Sequence, residues 1–307
     1  MNNTKYWIAL SEIKGIGPAV LKEVYSGLSS KKLTMADLFD LKKIEIEEEF
    51  GFNEKIADAV ISAKEKITKT EEDYFRIIDS GIKVITFFSD LYPVRLHELL
   101  ENSIPPFLYA YGNSELLSKK SIAILGEKKI SEKGEVIAYL GAKDLVSHHI
   151  PVIGGMAGGA GLIAHRSALE NGGETIAVLP YGINHLIVPK VISDISDSER
   201  ILFISPFYPT LEADQYSAFK RNKIIAALSY AVFIVEAPES GGIFEAAKSA
   251  HSIGVPLFTA EYSEYPASAS GNIKILSELG GLPVRGRLVN NSLAPNMDKI
   301  IGCAKFG

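Results

Sequence analysis

The chain has a single cysteine, Cys303, among its 307 residues. One thiol cannot close an internal disulfide, and no Cys/His grouping has the spacing of a zinc site. No apolar run approaches the ~20 residues that a membrane-spanning helix needs. The opening residues, MNNTKYWIAL, contain no basic segment followed by an apolar core and a small-residue cleavage site. Secretion is therefore not indicated, and the expected compartment is the cytoplasm. Positive charge is also scarce: 32 Lys and Arg against 37 Asp and Glu leave a net charge of −5. That balance excludes a protein that coats nucleic acid by bulk charge and leaves room for a localised basic site. Internal repeats and low-complexity tracts are missing as well. What remains is the composition of an ordinary globular protein, 47% hydrophobic and 22% charged. At roughly 100–200 residues per domain, two domains are expected.

The N-terminal stretch YWIALSEIKGIGPAVLKEVYSGL carries Trp7, Leu10 and Ile13, then Val20, Leu21 and Val24, at helical spacing on either side of GIG. TMADLFDL and NEKIADAVISAKEKI continue the pattern, so residues 1–70 are expected to form a small all-α domain. Residues 71–120 change character: a short strand over Lys83 to Phe87, a turn at Tyr92-Pro93, a break at Pro105-Pro106 and a second strand near Leu108 to Tyr111. This segment is expected to connect the domains and pack on the second.

From Ser121 onward, short apolar runs alternate with helix-length segments: SIAILG, IPVIGG, TIAVLP, ILFIS, AVFIVEA, VPLFTA. Continuous rather than alternating apolar strands, separated by helices, indicate a parallel sheet covered on both faces. The expected fold class is α/β, with a Rossmann-like doubly wound, mostly parallel sheet over 121–285. Residues 286–307 read as a short polar, turn-rich tail.

Five glycines lie between Gly154 and Gly161, after one of these strands and before a helix. In a doubly wound sheet such a turn is where phosphates sit, because glycines let backbone N–H groups approach an anion and the next helix adds its positive end. The spacing is not the dinucleotide fingerprint, and a tight packing turn without ligand is the plain alternative. FKRNKIIAALS places Lys220, Arg221 and Lys223 at the expected start of a helix, where cations oppose the dipole unless an anion is present. A solvated basic face explains them equally well. In VEAPESGGIFEAAKSA, Ser240 is a candidate cap and Gly241-Gly242 a second anion-accepting turn. Glu236 and Glu245 are candidate carboxylates, better explained as a strand-end hydrogen-bonding residue and as dipole compensation. His165 reads as a packed or hydrogen-bonded histidine.

In this order the segments resemble the DNA-processing protein A (DprA/Smf) family of the SLOG superfamily, over most of the chain up to Gly281. LYPVRLHEL looks like the family's YPxxL, and PPFLYAYGNSELL like its PPxLYxxGNxxLL. SIAILGEKKISEKG is similar to vAIVGSRxxSxyG, with Gly126 retained. Gly154 to His165 lies over SGLARGIDxxAH, and ALENGGETIAVLPYGI follows ALxxGGxTIAVLgxGl almost throughout. RNKIIAALS matches RNRIIAgLS, VEAPESGG matches VEAxxxSGs, and SGNIKILSELGG is similar to sGxNxLIxxGA.

The resemblance implies a small helical N-terminal domain; Gly15 to Gly17, flanked by Ile13 and Val20, looks like a helix-hairpin-helix (SAM-like) turn whose N–H groups could contact a phosphate, and equally like an αα-hairpin turn used for packing. The resemblance also implies a Rossmann-like domain that binds single-stranded DNA, homodimers, and a non-enzymatic mediator handing DNA to a RecA-type recombinase in natural transformation. No cofactor, metal or membrane partner is implied. The residues it points to for phosphate contact are Gly126, Lys128, Gly155, Gly158, Gly159, Lys220, Arg221, Asn222, Lys223, Ser240 and Gly241, and Arg166 joins them from its place beside His165. The segment after Gly281 is shorter than the winged-helix domain that some members carry.

The departures fall on polar positions. The family's GSR is Gly126-Glu127-Lys128; Gly158 replaces the basic residue of ARGID and Gly161 its aspartate; Lys223 replaces the second arginine of RNR. Ala218-Phe219 stands for FP, Ser205-Pro206 for SE, and Glu245 for a threonine. Lysine lacks the planar fork of arginine, so the pocket's charge is diluted. Two rival functions follow: a nucleotide-sensing or phosphoribohydrolase-like protein, whose PGGxGTxxE is shared only at Gly241-Gly242, and a degenerate homologue that keeps its protein contacts without a ligand.

Overall fold

The computed structural model describes residues 3–289 and 292–306. The chain divides into two compact units, one of residues 1–89 with Glu101–Leu108, the other of Asp90–Leu100 with residues 109–307.

The first unit holds α1 (Thr4–Ser11), α2 (Pro18–Lys31), α3 (Met35–Asp40), α4 (Lys43–Phe50), α5 (Glu54–Asp79) and β1 (Lys83–Thr86). Gly15, at φ +87°, turns the chain between α1 and α2, and Pro18 opens α2 where a missing N–H costs nothing. Thr34 and Asp37 form a reciprocal capping box at α3, and the Asn53 side chain caps α5. Leu10, Leu21, Leu38, Ile46, Ile56 and Val60 are fully buried in this unit. Helix α5 runs nine residues past the expected boundary at 70, because Tyr74 and Ile77 continue its buried stripe.

In the second unit, α6 (Val94–Leu100) precedes β2 (Phe107–Gly112), whose last residues from Tyr109 onward pair here. Then follow β3 (Ser121–Leu125), α7 (Glu132–Ser147), β4 (Val152–Gly154), α8 (Gly159–Glu170), β5 (Thr175–Val178), α9 (Lys190–Ser193) and β6 (Ile201–Ser205). The chain continues through α10 (Gln215–Leu228), β7 (Ser229–Ile234), α11 (Gly242–Ser252), β8 (Leu257–Ala260), α12 (Ser270–Glu278) and β9 (Leu282–Val284). In this unit the strands lie in the order β2-β6-β5-β4-β3-β7-β8-β9, with β2 antiparallel to β6 and the rest parallel. The order reverses direction at β3, between β4 and β7, which is where a doubly wound sheet opens a crevice.

Period-two patterning fixes which side chains meet. Ile122 and Ile124 of β3, Val152 of β4, Ala231 and Phe233 of β7, and Phe258 and Ala260 of β8 join one buried cluster with Ala138, Ala142 and Leu145 of α7 and Ala160, Ala164 and Ala168 of α8. Small residues on both helices allow close approach. Helices α10 and α11 pack on each other and on β7 outside this cluster, so both sheet faces are covered.

Arg95 of α6 donates from Nε to the Ala227 carbonyl (3.2 Å) and from Nη2 to that of Ser229 (2.7 Å), and lies 4.2 Å from the Tyr230 ring centroid. A cation at the carbonyl end of α10 satisfies orphan acceptors there.

Of the residues expected as a tail, those described within 286–289 and 292–306 form regular elements. β10 (Gly286–Val289) and β11 (Ser292–Pro295) pair antiparallel, and α13 (Asp298–Phe306) buries Ile300, Ile301 and Ala304 in the α7–α8 cluster. Their i, i+1 and i+4 spacing presents one apolar stripe, which completes the cover of that sheet face.

Candidate nucleic-acid interface

Three loops converge at the carboxyl edge of the sheet: 126–131 after β3, 155–158 after β4 and 235–241 after β7. Glycines set how closely they pack. A Cβ at Gly159 would stand 1.8 Å from the Glu127 carbonyl oxygen, and one at Gly126 2.7 Å from the Ala160 side chain, so the loop after β3 rests on the start of α8. A Cβ at Gly161 would stand 2.5 Å from the Gly155 oxygen. The glycine that replaces the family's aspartate thus lets the loop fold back on its helix.

Helices α8 and α11 begin in the same way. Their N-caps, Gly158 (φ +117°, ψ −176°) and Gly241 (φ +102°, ψ −176°), adopt a conformation reserved for glycine and offer no side-chain cap. Both flank β3 through its neighbours β4 and β7, and the space a side chain would fill at each is open. Two sets of uncapped N–H groups therefore face the crevice. Ser240, a candidate cap by sequence, is exposed and lies one residue too early; the cap is Gly241 itself.

Helix α10 starts at Gln215, six residues before Arg221, with Asp214 and Ser217 in a reciprocal capping box. Lys220, Arg221 and Lys223 are therefore mid-helix rather than at its start, and no dipole argument applies to them. Arg221 is instead buried, 9% exposed. Its Nη1 donates to the Val178 carbonyl at 3.0 Å and its Nε to Asn222 Oδ1 at 2.9 Å; a Cβ at Gly155 would stand 2.1 Å from Nη1. Asn222 in turn donates to the Gly242 carbonyl (2.9 Å), joining the two glycine turns through one residue pair. No carboxylate pairs with Arg221 among the described residues, and burial brings its pKa down to about 10. Tyr181, missed by sequence reasoning, lies close enough to favour the charged guanidinium, while burial pushes its own phenol up.

His165 is fully buried below the glycine loop. Its Nδ1 meets Thr175 Oγ1 at 2.5 Å, and that hydroxyl spends its only proton on the Val152 carbonyl (2.9 Å). Nε2 makes no hydrogen bond of good geometry among the described residues and lies against the backbone of Gly154 and Gly155. Burial, reinforced by the Arg221 charge, lowers the pKa of His165 to about 4. The imidazole is neutral at neutral pH.

The candidate carboxylates are committed. Glu236, fully buried, accepts from the Ser131 backbone N–H (2.9 Å) and hydroxyl (2.5 Å), Tyr262 (2.8 Å) and Ser268 (2.6 Å). A Cβ at Gly134 would stand 2.5 Å from its Oε1. Glu245, in the first turn of α11, pairs with Lys248 at 2.8 Å. Arg166 is half-exposed on α8 and bound to Glu170 at 2.7 Å. Lys128 and Lys220 are exposed and Lys223 half-buried, with no ion pair among the described residues; Lys220 lies 4.5 Å over the Tyr216 ring. No group of three or more His, Cys, Asp or Glu placed to hold a metal ion occurs among the described residues, and no described helix is long and apolar enough to cross a membrane.

The sequence model of the family described as DNA recombination-mediator protein A matches residues 83–281, more than half of the chain. Protein Smf of Synechocystis sp. is 26% identical over 322 aligned positions, covering 97% of this chain and 77% of that protein. DNA processing protein DprA of Bacillus subtilis is 27% identical, covering 65% and 67%. The X-ray structure of DprA from Streptococcus pneumoniae superposes with a TM-score of 0.72 at 24% identity, over 92% of this chain and 95% of that one. The structure of DprA from Helicobacter pylori, solved for its single-stranded DNA binding mode, gives a TM-score of 0.58 at 22% identity over 72% and 94%. These two likenesses speak to the fold, the sequence matches to descent, and on them the chain belongs to the DNA recombination-mediator protein A family, also called DprA or Smf.

Proposed function

We propose that the protein binds single-stranded DNA at the carboxyl edge of its sheet and hands it on, as a homodimer, to a RecA-type recombinase without doing chemistry on it. Arg221 carries the reading. A buried guanidinium that holds only neutral acceptors is unfavourable by several kcal/mol until an anion completes it. The uncapped N-termini of α8 and α11 supply backbone donors for phosphates on either side, and Lys128, Lys220 and Lys223 supply unpaired charge. Names among the relatives point the same way. Nucleotide cleavage is disfavoured, because Glu236 is enclosed by four donors and Glu245 is neutralised by Lys248.

The test is fluorescence anisotropy of a labelled single-stranded oligonucleotide against its duplex across a salt series. The single strand is expected to bind more tightly, with a log–log salt slope of about 0.7 per phosphate contacted. Arg221→Met should leave thermal stability unchanged or higher, since a buried unpaired ion is replaced by an apolar chain of similar length, yet weaken single-strand binding about tenfold or more. Absence of binding at ~50 mM salt, or equal affinity for the duplex, overturns the reading.

A further inference from the structure

Helix α10 presents an aromatic ring to solvent where a buried face would be expected of so large a side chain. Tyr216 is 65% exposed. Tyr216, Lys220 and Lys223 are spaced i, i+4 and i+7 and so share one stripe, opposite the side on which Arg221 and Asn222 enter the site. Side chains on a helix lean toward its N-terminus, which brings the Lys220 ammonium over one face of the Tyr216 ring, 4.5 Å from its centroid. Among the described residues no other ring or cation lies over Tyr216. The Asp214–Ser217 capping box holds this turn in place. Position follows from helix geometry. Arg221 touches the strand ends at Val178 and Gly155, and Tyr216 lies five residues nearer the helix start, ~7.5 Å further out beyond the carboxyl edge.

We infer that Tyr216 is a stacking platform for an unpaired base of the strand held at the Arg221 site, with Lys220 and Lys223 contacting the flanking phosphates; this rests on the single-strand reading above. An aromatic face accepts any base, so the contact adds affinity without sequence preference. Only an unpaired base can reach it, so the platform also supplies discrimination against duplex.

The experiment compares Tyr216→Ala, Tyr216→Trp and Lys220→Ala with the unaltered full chain, on a single-stranded oligonucleotide and on an abasic deoxyribose-phosphate strand of equal length. Tyr216→Ala should weaken binding to the oligonucleotide about fivefold or more, without changing the salt slope, and leave abasic-strand binding unchanged. Tyr216→Trp should restore or exceed the original affinity. Lys220→Ala should lower the salt slope by about 0.7 on both strands. Unchanged affinity in Tyr216→Ala, or an equal loss on the abasic strand, overturns the inference and leaves the single-strand reading standing. Failure of the unaltered protein to prefer single strands removes both.

Discussion

Two buried charges at the same sheet edge are treated in opposite ways. Glu236, at the end of β7, is ringed by the Ser131 N–H and hydroxyl, Tyr262 and Ser268. Arg221, reaching the end of β5, meets one carbonyl and one amide oxygen and no carboxylate among the described residues. Buried ions are tolerated when compensated, so the acid is complete within the fold and the base is not. The acid therefore belongs to the architecture: it ties the loop after β3 to the turn before α12. On the proposed reading, the base is completed by a phosphate of the bound strand.

Removing Glu236 should produce the largest effect. Glu236→Ala strands four donors around a fully buried position, and a loss of about 3–5 kcal/mol is expected in urea unfolding. Gly134→Ala attacks the same node from the other side, by driving a methyl group into Oε1, and should also destabilise. A small effect in both variants would mean that water enters the node, and the contrast with Arg221 would collapse.

His165 sharpens the contrast through pH. Its folded pKa of about 4 lies below the unfolded value, so the unfolded chain binds the extra proton between about pH 6.5 and pH 4. Stability is therefore complete above that window and falls as the pH drops through it, by up to about 3 kcal/mol. His165→Leu should flatten this acid limb. Bound single-stranded DNA should flatten it as well, because a polyanion beside Arg221 offsets the repulsion that disfavours imidazolium. Urea midpoints measured across this range, with and without oligonucleotide, check both.

Much of this was legible in the sequence. Apolar strands separated by helices announced the parallel sheet, and the glycines around 158 and 241 announced tight strand-to-helix turns, where the structure places backbone conformations that only glycine readily adopts. The start of α10 was hidden because its first turn, QYSA, carries no apolar stripe, and only the Asp214 and Ser217 spacing signals it. The compensation of Glu236 was beyond reach. Its partners lie 105, 26 and 32 residues away, and no local pattern reports that tertiary contacts will gather them. The difference between a committed acid and an open base is for the same reason invisible until the chain is folded.

Arg166 marks where the open side of the comparison ends, and its effect should be the smallest. Sequence placed it with the DNA-contacting residues for its position beside His165, yet one helical turn further along α8 stands Glu170, and the two are joined at the surface. An exposed i,i+4 pair of this kind is worth about 0.3–0.5 kcal/mol, so Arg166→Ala should barely move stability. Its charge is already met, in contrast to that of Arg221, so single-strand affinity should change less than about twofold and the salt slope should stay as it was. Glu170→Gln is the informative partner. If freeing the guanidinium increases affinity and steepens the slope, α8 lies within reach of the strand and Glu170 attenuates a contact. If it does nothing, the strand does not extend along α8 as far as Arg166, and its contacts stay with Arg221, the lysines and the N-termini of α8 and α11.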